Sequence, residues 1–231
     1  MRREALIVWG GWEGHEPKQC AEVVEKLLKA EDFNVKVADS PSAFADSHLG
    51  RFDLIVPIVT QATIPPEACD NLIATVGNGT GLAGFHGGMG DSFRSEPAYQ
   101  FMVGGQWVAH PGNIISYRVT ITKPFDEITR GIEDFDYQSE QYYMHVDPGN
   151  EVLATTTFSG EHCEWVQGVV MPVAWKRRHG AGRVFYCSLG HVAAEFEIVQ
   201  MRTLILRGML WAARGEHADS RDALSRARST I

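Results

Sequence analysis

Basic residues are scarce in this 231-residue sequence: 21 lysines and arginines stand against 29 aspartates and glutamates, a net charge of −8. That balance argues against the positive surface with which proteins hold nucleic acid or anionic membranes, and makes a small-molecule substrate the default expectation. Long hydrophobic runs are missing as well. No stretch approaches the roughly 20 apolar residues of a membrane-spanning helix, and the apolar start Ala5-Leu6-Ile7-Val8-Trp9 is too short for a secretory core before it meets Gly10-Gly11. A cytoplasmic protein is therefore expected. The four cysteines, Cys20, Cys69, Cys163 and Cys187, form no C-x-x-C pair, so neither a disulfide framework nor a thiolate zinc site is predicted and the thiols read as small buried apolar groups. Nucleotide signatures are absent too. Gly10-Gly11-Trp12-Glu13-Gly14 departs from G-x-G-x-x-G and puts bulk and negative charge where a pyrophosphate would lie, and Asn78-Gly79-Thr80-Gly81 has no lysine after it.

What the chain does have is an alternation of strand and helix signals over its first 90 residues. Ala5 to Trp9 reads as a buried strand, Pro17 opens a helix with Val23, Val24, Leu27 and Leu28 on one face, and Val35 to Ala38 is a short strand. Leu54 to Val59 is a further apolar run in which Pro57 predicts a bulge or a strand end. Pro65-Pro66 opens a second helix to about Val76, and Gly79-Thr80-Gly81 leads into a strand ending at His86, where the chain meets a glycine turn. This order is the mark of a doubly wound parallel sheet. The second half changes character: Ile114 to Ile121, Glu151 to Thr157, Pro172 to Lys176 and Arg183 to Ser188 read as added antiparallel strands, the last two joined by the turn His179-Gly180-Ala181-Gly182. A closing amphipathic helix is predicted from Val199 to Ala213. One domain over 1–214 and a charged tail over 215–231 are expected.

The chemistry is concentrated in histidines at strand ends and loops. Parallel strands deliver their carboxyl ends to one sheet edge, so His15 after the first strand and His86 after the fourth should converge there, with His191, following Tyr186-Cys187-Ser188-Leu189-Gly190, able to join them. His86 occupies the apex where a serine or cysteine would announce an acyl-transfer nucleophile. Neutral imidazole serves both as general base and as metal ligand. His15, His86 and His191, with a carboxylate such as Glu140 or Glu195, are thus candidates to hold a divalent ion, although no H-E-x-x-H pair sets their spacing. Glu140-Gln141-Tyr142-Tyr143-Met144-His145 joins acid, phenol and imidazole, which makes Glu140 and His145 catalytic candidates beside His86 and His191. Trp12, His15, His110, Tyr142 and Tyr143 are the substrate-binding candidates. Aromatic faces beside polar groups suit sugar rings, which present C–H patches edged with hydroxyls.

On Gly81-Leu82-Ala83-Gly84-Phe85-His86-Gly87-Gly88, Glu140-Gln141-Tyr142-Tyr143-Met144, Pro172-Val173-Ala174-Trp175 and Gly182 to His191, with the Gly208 to Ala213 helix, the chain resembles the ThuA-like, or trehalose-utilisation, family. The resemblance implies a flavodoxin-like, class I glutamine amidotransferase-like fold. His86 then stands in the place of the amidotransferase cysteine, and His191 with Glu195 falls roughly where that superfamily keeps its His and Glu, so glutaminase activity is not carried over. It also implies bacterial sugar catabolism alongside oxidoreductases that make 3-keto disaccharides. The family's middle motif usually begins Asp-Glu, whereas Ser139 precedes Glu140 here. The expected function is histidine acid–base chemistry on a keto-disaccharide or related glycoside, by isomerisation or cleavage, with a divalent metal as the candidate cofactor and a homodimer as the default oligomer. The alternatives are a non-catalytic sugar-binding or regulatory protein on the same scaffold, and a cysteine hydrolase using Cys187 or Cys163.

Overall fold

Alternation of apolar side chains along strands that are buried on both faces builds a three-layer molecule, described over residues 2–215 by a computed structural model. Strands β1 (Arg3–Gly11), β2 (Phe33–Ala38), β3 (Leu54–Thr60) and β4 (Gly81–Phe85) are interleaved with helices α1 (Pro17–Ala30) and α2 (Pro66–Gly77). A five-residue helix α3 (His86–Gly90) and a short α4 (Pro97–Val103) follow. The second half contributes β5 (Gly105–Ala109), β6 (Ile114–Ile121), β7 (Phe135–Glu140), β8 (Tyr143–Val146), β9 (Glu151–Thr157), β10 (Val170–His179), β11 (Gly182–Cys187) and the closing helix α5 (Val199–Ala212). Nine strands form one sheet in the order β2-β1-β3-β4-β11-β10-β9-β6-β7, while β5 and β8 pair separately. The first five are mutually parallel, in the flavodoxin-like order, and the last four add the antiparallel extension. The doubly wound sheet with antiparallel additions is thus the fold. Of the expected tail at 215–231, all but Gly215 lies outside the described residues.

The two faces of the sheet are filled by different helices. Ala5 and Ile7 of β1 face Val24 and Leu28 of α1 and share a core with Leu204 and Met209 of α5, whereas Leu6 and Val8 face the layer that contains Leu72 and Val76 of α2 and Met102 of α4. Trp175 is fully enclosed, and its indole N–H donates to the Val103 carbonyl at 2.9 Å, so the large ring is buried without an orphaned donor. Among the described residues no helix is long and apolar enough to cross a membrane. All four cysteines are free thiols, with Cys163 half-buried and the rest buried. Burial pushes the Cys187 thiol up to about 12, which removes the thiolate a cysteine hydrolase would need.

Two expectations change. Pro57 sits in the middle of β3, fully buried and in register with Val8, not at a bulge or an end. The ladder between β3 and β4 covers only Leu54 and Ile55, so one flank of the strand needs no donor at Pro57, the condition under which a strand tolerates proline. The first strand also runs on through Gly10-Gly11 because its partner continues, pairing Gly11 with Thr60. That extension carries the chain directly to His15. The short elements α4, β5, β7 and β8 were not among the predicted ones; each is four to seven residues long, too brief for periodicity to stand out.

Helix α5 lies on β11 through a bare backbone. A Cβ built at Gly208 would stand 2.3 Å from the Phe185 ring, itself fully buried. Alanine at a helical glycine would normally stabilise by about 1 kcal/mol, but forcing an atom into a close-packed core costs about 1–3 kcal/mol. Gly208→Ala is therefore expected to lower unfolding stability by about 1–2 kcal/mol, read from the midpoint of urea denaturation; a rise in the midpoint would contradict this packing.

Candidate functional site

The carboxyl ends of the parallel strands carry the histidines to one place. His15 lies in a single 3-10 turn (Glu13–His15) just beyond β1, is buried, and its Nδ1 is 2.9 Å from the Thr60 hydroxyl at the end of β3. His86 follows β4 with φ at +48°, a left-handed conformation that costs a non-glycine residue of order 1–3 kcal/mol. Surrounding contacts hold it there. The His86 Nδ1 donates to the Ser188 carbonyl at 2.8 Å, the Tyr186 hydroxyl donates to the His86 carbonyl at 3.0 Å, and the Tyr142 ring stacks on the imidazole at 4.1 Å between centroids. Gly87 has to be glycine for the same site: a Cβ there would stand 2.6 Å from the His15 ring.

His191 comes from the loop after β11, and that loop is clasped from two sides. Glu195 accepts from the His191 backbone N–H at 2.8 Å and from the Tyr137 hydroxyl of β7, while the same hydroxyl accepts from the Gly190 N–H at 3.1 Å. Glu16, next to His15, accepts from the Ala193 N–H at 3.1 Å. Glu195 is thus an anchor of the His191 loop and does not belong to the imidazole cluster itself.

Glu140, the last residue of β7, is the hub. Its carboxylate lies 3.2 Å from the Nε2 of His86, 3.8 Å from that of His15, 3.7 Å from that of His110 and 3.9 Å from that of His191. A flat sheet would keep β7 about 24 Å from β4, five strand spacings away, so the antiparallel extension has to curl back over the carboxyl edge. The pairing of β6 with β9 covers only Thr120 and Ile121, which leaves the β6–β7 ribbon free to diverge and bring Glu140 home. The Tyr117 hydroxyl donates to the Glu140 carbonyl at 3.1 Å and fixes the end of the ribbon.

The electrostatics follow from the burial. Enclosure pushes His86 down to about 4 despite the opposing pull of Glu140, and burial likewise holds His191 below the ordinary imidazole value. For Glu140, burial works to raise the carboxyl, but the imidazoles of His15 and His86 outweigh it and keep it well below the usual carboxylate range. The ligand atoms of His15, His86, Glu140 and His191 all lie within 4.8 Å of one another, the only such group of possible metal ligands among the described residues.

A cleft of about 110 Å³ opens onto this cluster, walled by Trp12, Trp107, His110 and Tyr142, with Gln61 and Asp91 at its side. At about 30 Å³ per water it takes three or four waters, or the reacting end of a sugar. Trp12 is half exposed at the rim. Two enclosed nitrogens in the wall, Trp107 Nε1 and His110 Nδ1, have no hydrogen-bond partner, an arrangement that calls for a ligand atom or an ordered water.

Seven of the nine predicted site residues therefore meet: His15, His86, Glu140 and His191 in the cluster, with Trp12, His110 and Tyr142 around it. Two do not. His145 is exposed on β8 opposite Gln106, and Tyr143 packs on Phe158 at 5.7 Å. The cause is the strand period of two: Met144 turns into the core, so its neighbours His145 and Tyr143 turn the other way. Thr60, Ser188 and Tyr137, which orient the histidines, were not singled out from sequence; a hydroxyl at a strand end carries no local signal.

Comparison with known proteins bears on this arrangement. The family model described as "ThuA: Trehalose utilisation" matches residues 4–212. Among solved structures, a ThuA-like protein of Bacteroides uniformis shares the fold with a TM-score of 0.76 at 20% identity, covering 91% of each chain. One from Parabacteroides merdae gives 0.74 at 19%, covering 92% of this chain and 90% of that one. A cytoplasmic protein of Salmonella typhimurium gives 0.63 at 12%, covering 92% and 100%. At these identities the likeness is one of fold. Among curated proteins, none matches the sequence.

The clasp on the His191 loop can be probed directly. Tyr137→Phe removes a hydroxyl that serves both Glu195 and the Gly190 N–H, so it is expected to destabilise the fold by about 1–3 kcal/mol and to shift the imidazole NMR signals of His191. Unchanged signals would show that the loop is held by other means.

Proposed function

The chain belongs to the ThuA family, whose model carries the description of trehalose utilisation, and from this premise together with the cluster around Glu140 we propose that it catalyses proton abstraction beside the carbonyl of a keto-sugar or keto-glycoside. Membership itself points to carbohydrate metabolism. The observation that carries the finer reading is the gathering of four imidazoles within 3.9 Å of one carboxylate at the floor of an aromatic-walled cleft.

A carbonyl acidifies the C–H next to it, so catalysis needs a base for that proton and a positive or hydrogen-bonding end for the enediolate oxygen. His86 is poorly placed as the base: it is 1% exposed and its two nitrogens are engaged by Ser188 and Glu140. We assign the base to His110, which borders the cleft and, unlike His86, is partly exposed, at 27%. The enediolate oxygen would face His15, the imidazole of the cluster that lines the cleft. Trp12 and Trp107 offer apolar ring surface to the C–H patches of the sugar. The cleft admits one reacting ring end, and a second sugar or aglycone would extend past Trp12 into solvent.

Two outcomes share this first step. Return of the proton to the neighbouring carbon gives the isomer. Where a glycosidic oxygen is attached to the carbon beyond the acidified one, the enediolate electrons expel it, the C–O bond breaks, and the leaving oxygen takes up a proton. The parent chain should therefore exchange the C–H of 3-keto-trehalose or a 3-keto-glucoside with D2O, or release the aglycone, followed by NMR. His110→Gln should lower the rate by about 10²–10⁴-fold with the fold intact. Measurable sugar binding with neither exchange nor release would favour the non-catalytic sugar-binding protein instead.

A further inference from the structure

We propose that His15, His86, Glu140 and His191 bind one divalent first-row transition-metal ion through three imidazole Nε2 atoms and one carboxylate oxygen. The inference stands apart from the sugar chemistry, because it concerns what these four side chains hold and not what is turned over.

The donor set comes first. Three nitrogens and a carboxylate oxygen suit zinc, manganese, iron, cobalt or nickel, and are ill-matched to calcium or magnesium, which prefer oxygen throughout. Size follows. Donors at about 2.0–2.2 Å from one tetrahedral ion stand about 3.3–3.6 Å apart, and these four already lie within 4.8 Å of one another. Side-chain rotations that move the donor atoms inward would close the set.

Orientation is the stronger argument. A metal-bound histidine usually donates its other ring N–H to a protein oxygen, which fixes the tautomer and aims the lone pair at the ion. His86 does this with the Ser188 carbonyl at 2.8 Å, and His15 is paired with the Thr60 hydroxyl at 2.9 Å. A carbonyl can only accept, so Nδ1 of His86 carries a proton and Nε2 is the nitrogen left to face an ion. That nitrogen points at Glu140 Oε2, 3.2 Å away. A cation between them, a proton or a metal ion, satisfies both atoms, and the three further imidazoles turned toward the same carboxylate supply the additional donors that a metal ion takes and a proton does not.

The backbone agrees. The left-handed φ of His86 and the glycine at 87 accompany an approach of the His86 and His15 rings to 4.6 Å between centroids. His110 stays outside the four-ligand group, which leaves it available to move a proton. A bound ion would supply a Lewis acid at the enediolate end of the cleft.

The test uses the full chain, stripped with chelator and dialysed. Zinc or manganese chloride titrated by calorimetry, with elemental analysis of the dialysed product, should give one equivalent per chain and raise the melting temperature. Glu140→Gln and His191→Gln should each abolish stoichiometric uptake, and Thr60→Val, which removes only the partner of His15 Nδ1, should weaken affinity by about 10–100-fold. Circular dichroism of each variant checks that it has folded, and Thr60→Val stands in should the ligand variants fail to fold. Absence of saturable uptake by the parent chain, or affinity unchanged in Thr60→Val and in a folded His191→Gln, would overturn the proposal. One equivalent bound without any reaction of keto-sugars would sustain it while sinking the catalytic reading, and exchange that survives complete stripping and gains nothing from added metal would do the reverse.

Discussion

A buried carboxylate surrounded by imidazoles is the constraint on which the rest of the site depends. Glu140 is 7% exposed, and an ionised carboxylate so enclosed persists only where neighbouring groups repay the lost hydration. Here the neighbours are four histidines, each delivered by a different segment: the β1 loop, the end of β4, the segment after β5 and the β11 loop. None of these segments touches Glu140 by sequence proximity. The carboxylate ties the curled antiparallel ribbon to the parallel sheet, and the positions of Tyr137, Glu195, Glu16, Thr60 and Ser188 make sense as supports for that junction.

The scaffold and the site store their costs in different places. Interior strands such as β3 are buried along their whole length and pack helices on both faces, so the sheet can hold a residue such as His86 in an unfavourable conformation. A loop alone could not. The polar contacts that orient the histidines come mostly from backbone carbonyls, hydroxyls and carboxylates at strand ends, where the sheet is rigid and yet open to a ligand. This arrangement leaves the turn after β4 occupied by a ring whose two nitrogens are already engaged by Ser188 and Glu140, so acyl transfer through a nucleophile at this turn has no group to carry it.

The parallel half was legible because it obeys strong rules. Apolar runs punctuated by glycine and proline located β1, β3, β4, α1 and α2, and the requirement that parallel strands point the same way was enough to expect His15, His86 and His191 at one edge. Glu140 was legible as an acid in an aromatic stretch and as one of two carboxylates that could join the imidazoles. Its role as hub depends on the ribbon β6–β7 bending back across a sheet whose flat spacing would have kept it far away, and nothing local to Phe135–Glu140 encodes that bend. The same stretch misled at His145 and Tyr143, since proximity in sequence was taken for proximity to the site whereas strand alternation turns them away from it.

By itself, then, the sequence determined the strand–helix alternation of the first half, its parallel class and which strand ends would carry imidazoles, because periodicity, chain direction and turn chemistry are local properties. Only the tertiary structure decided that these imidazoles share a single carboxylate, that Ser188 and Thr60 orient two of them, and that Glu195 serves the loop and not the cluster. Those are contacts between groups up to about 125 residues apart. Their distances are set by the curvature of the sheet and by close packing around it, quantities that no single segment of the chain contains.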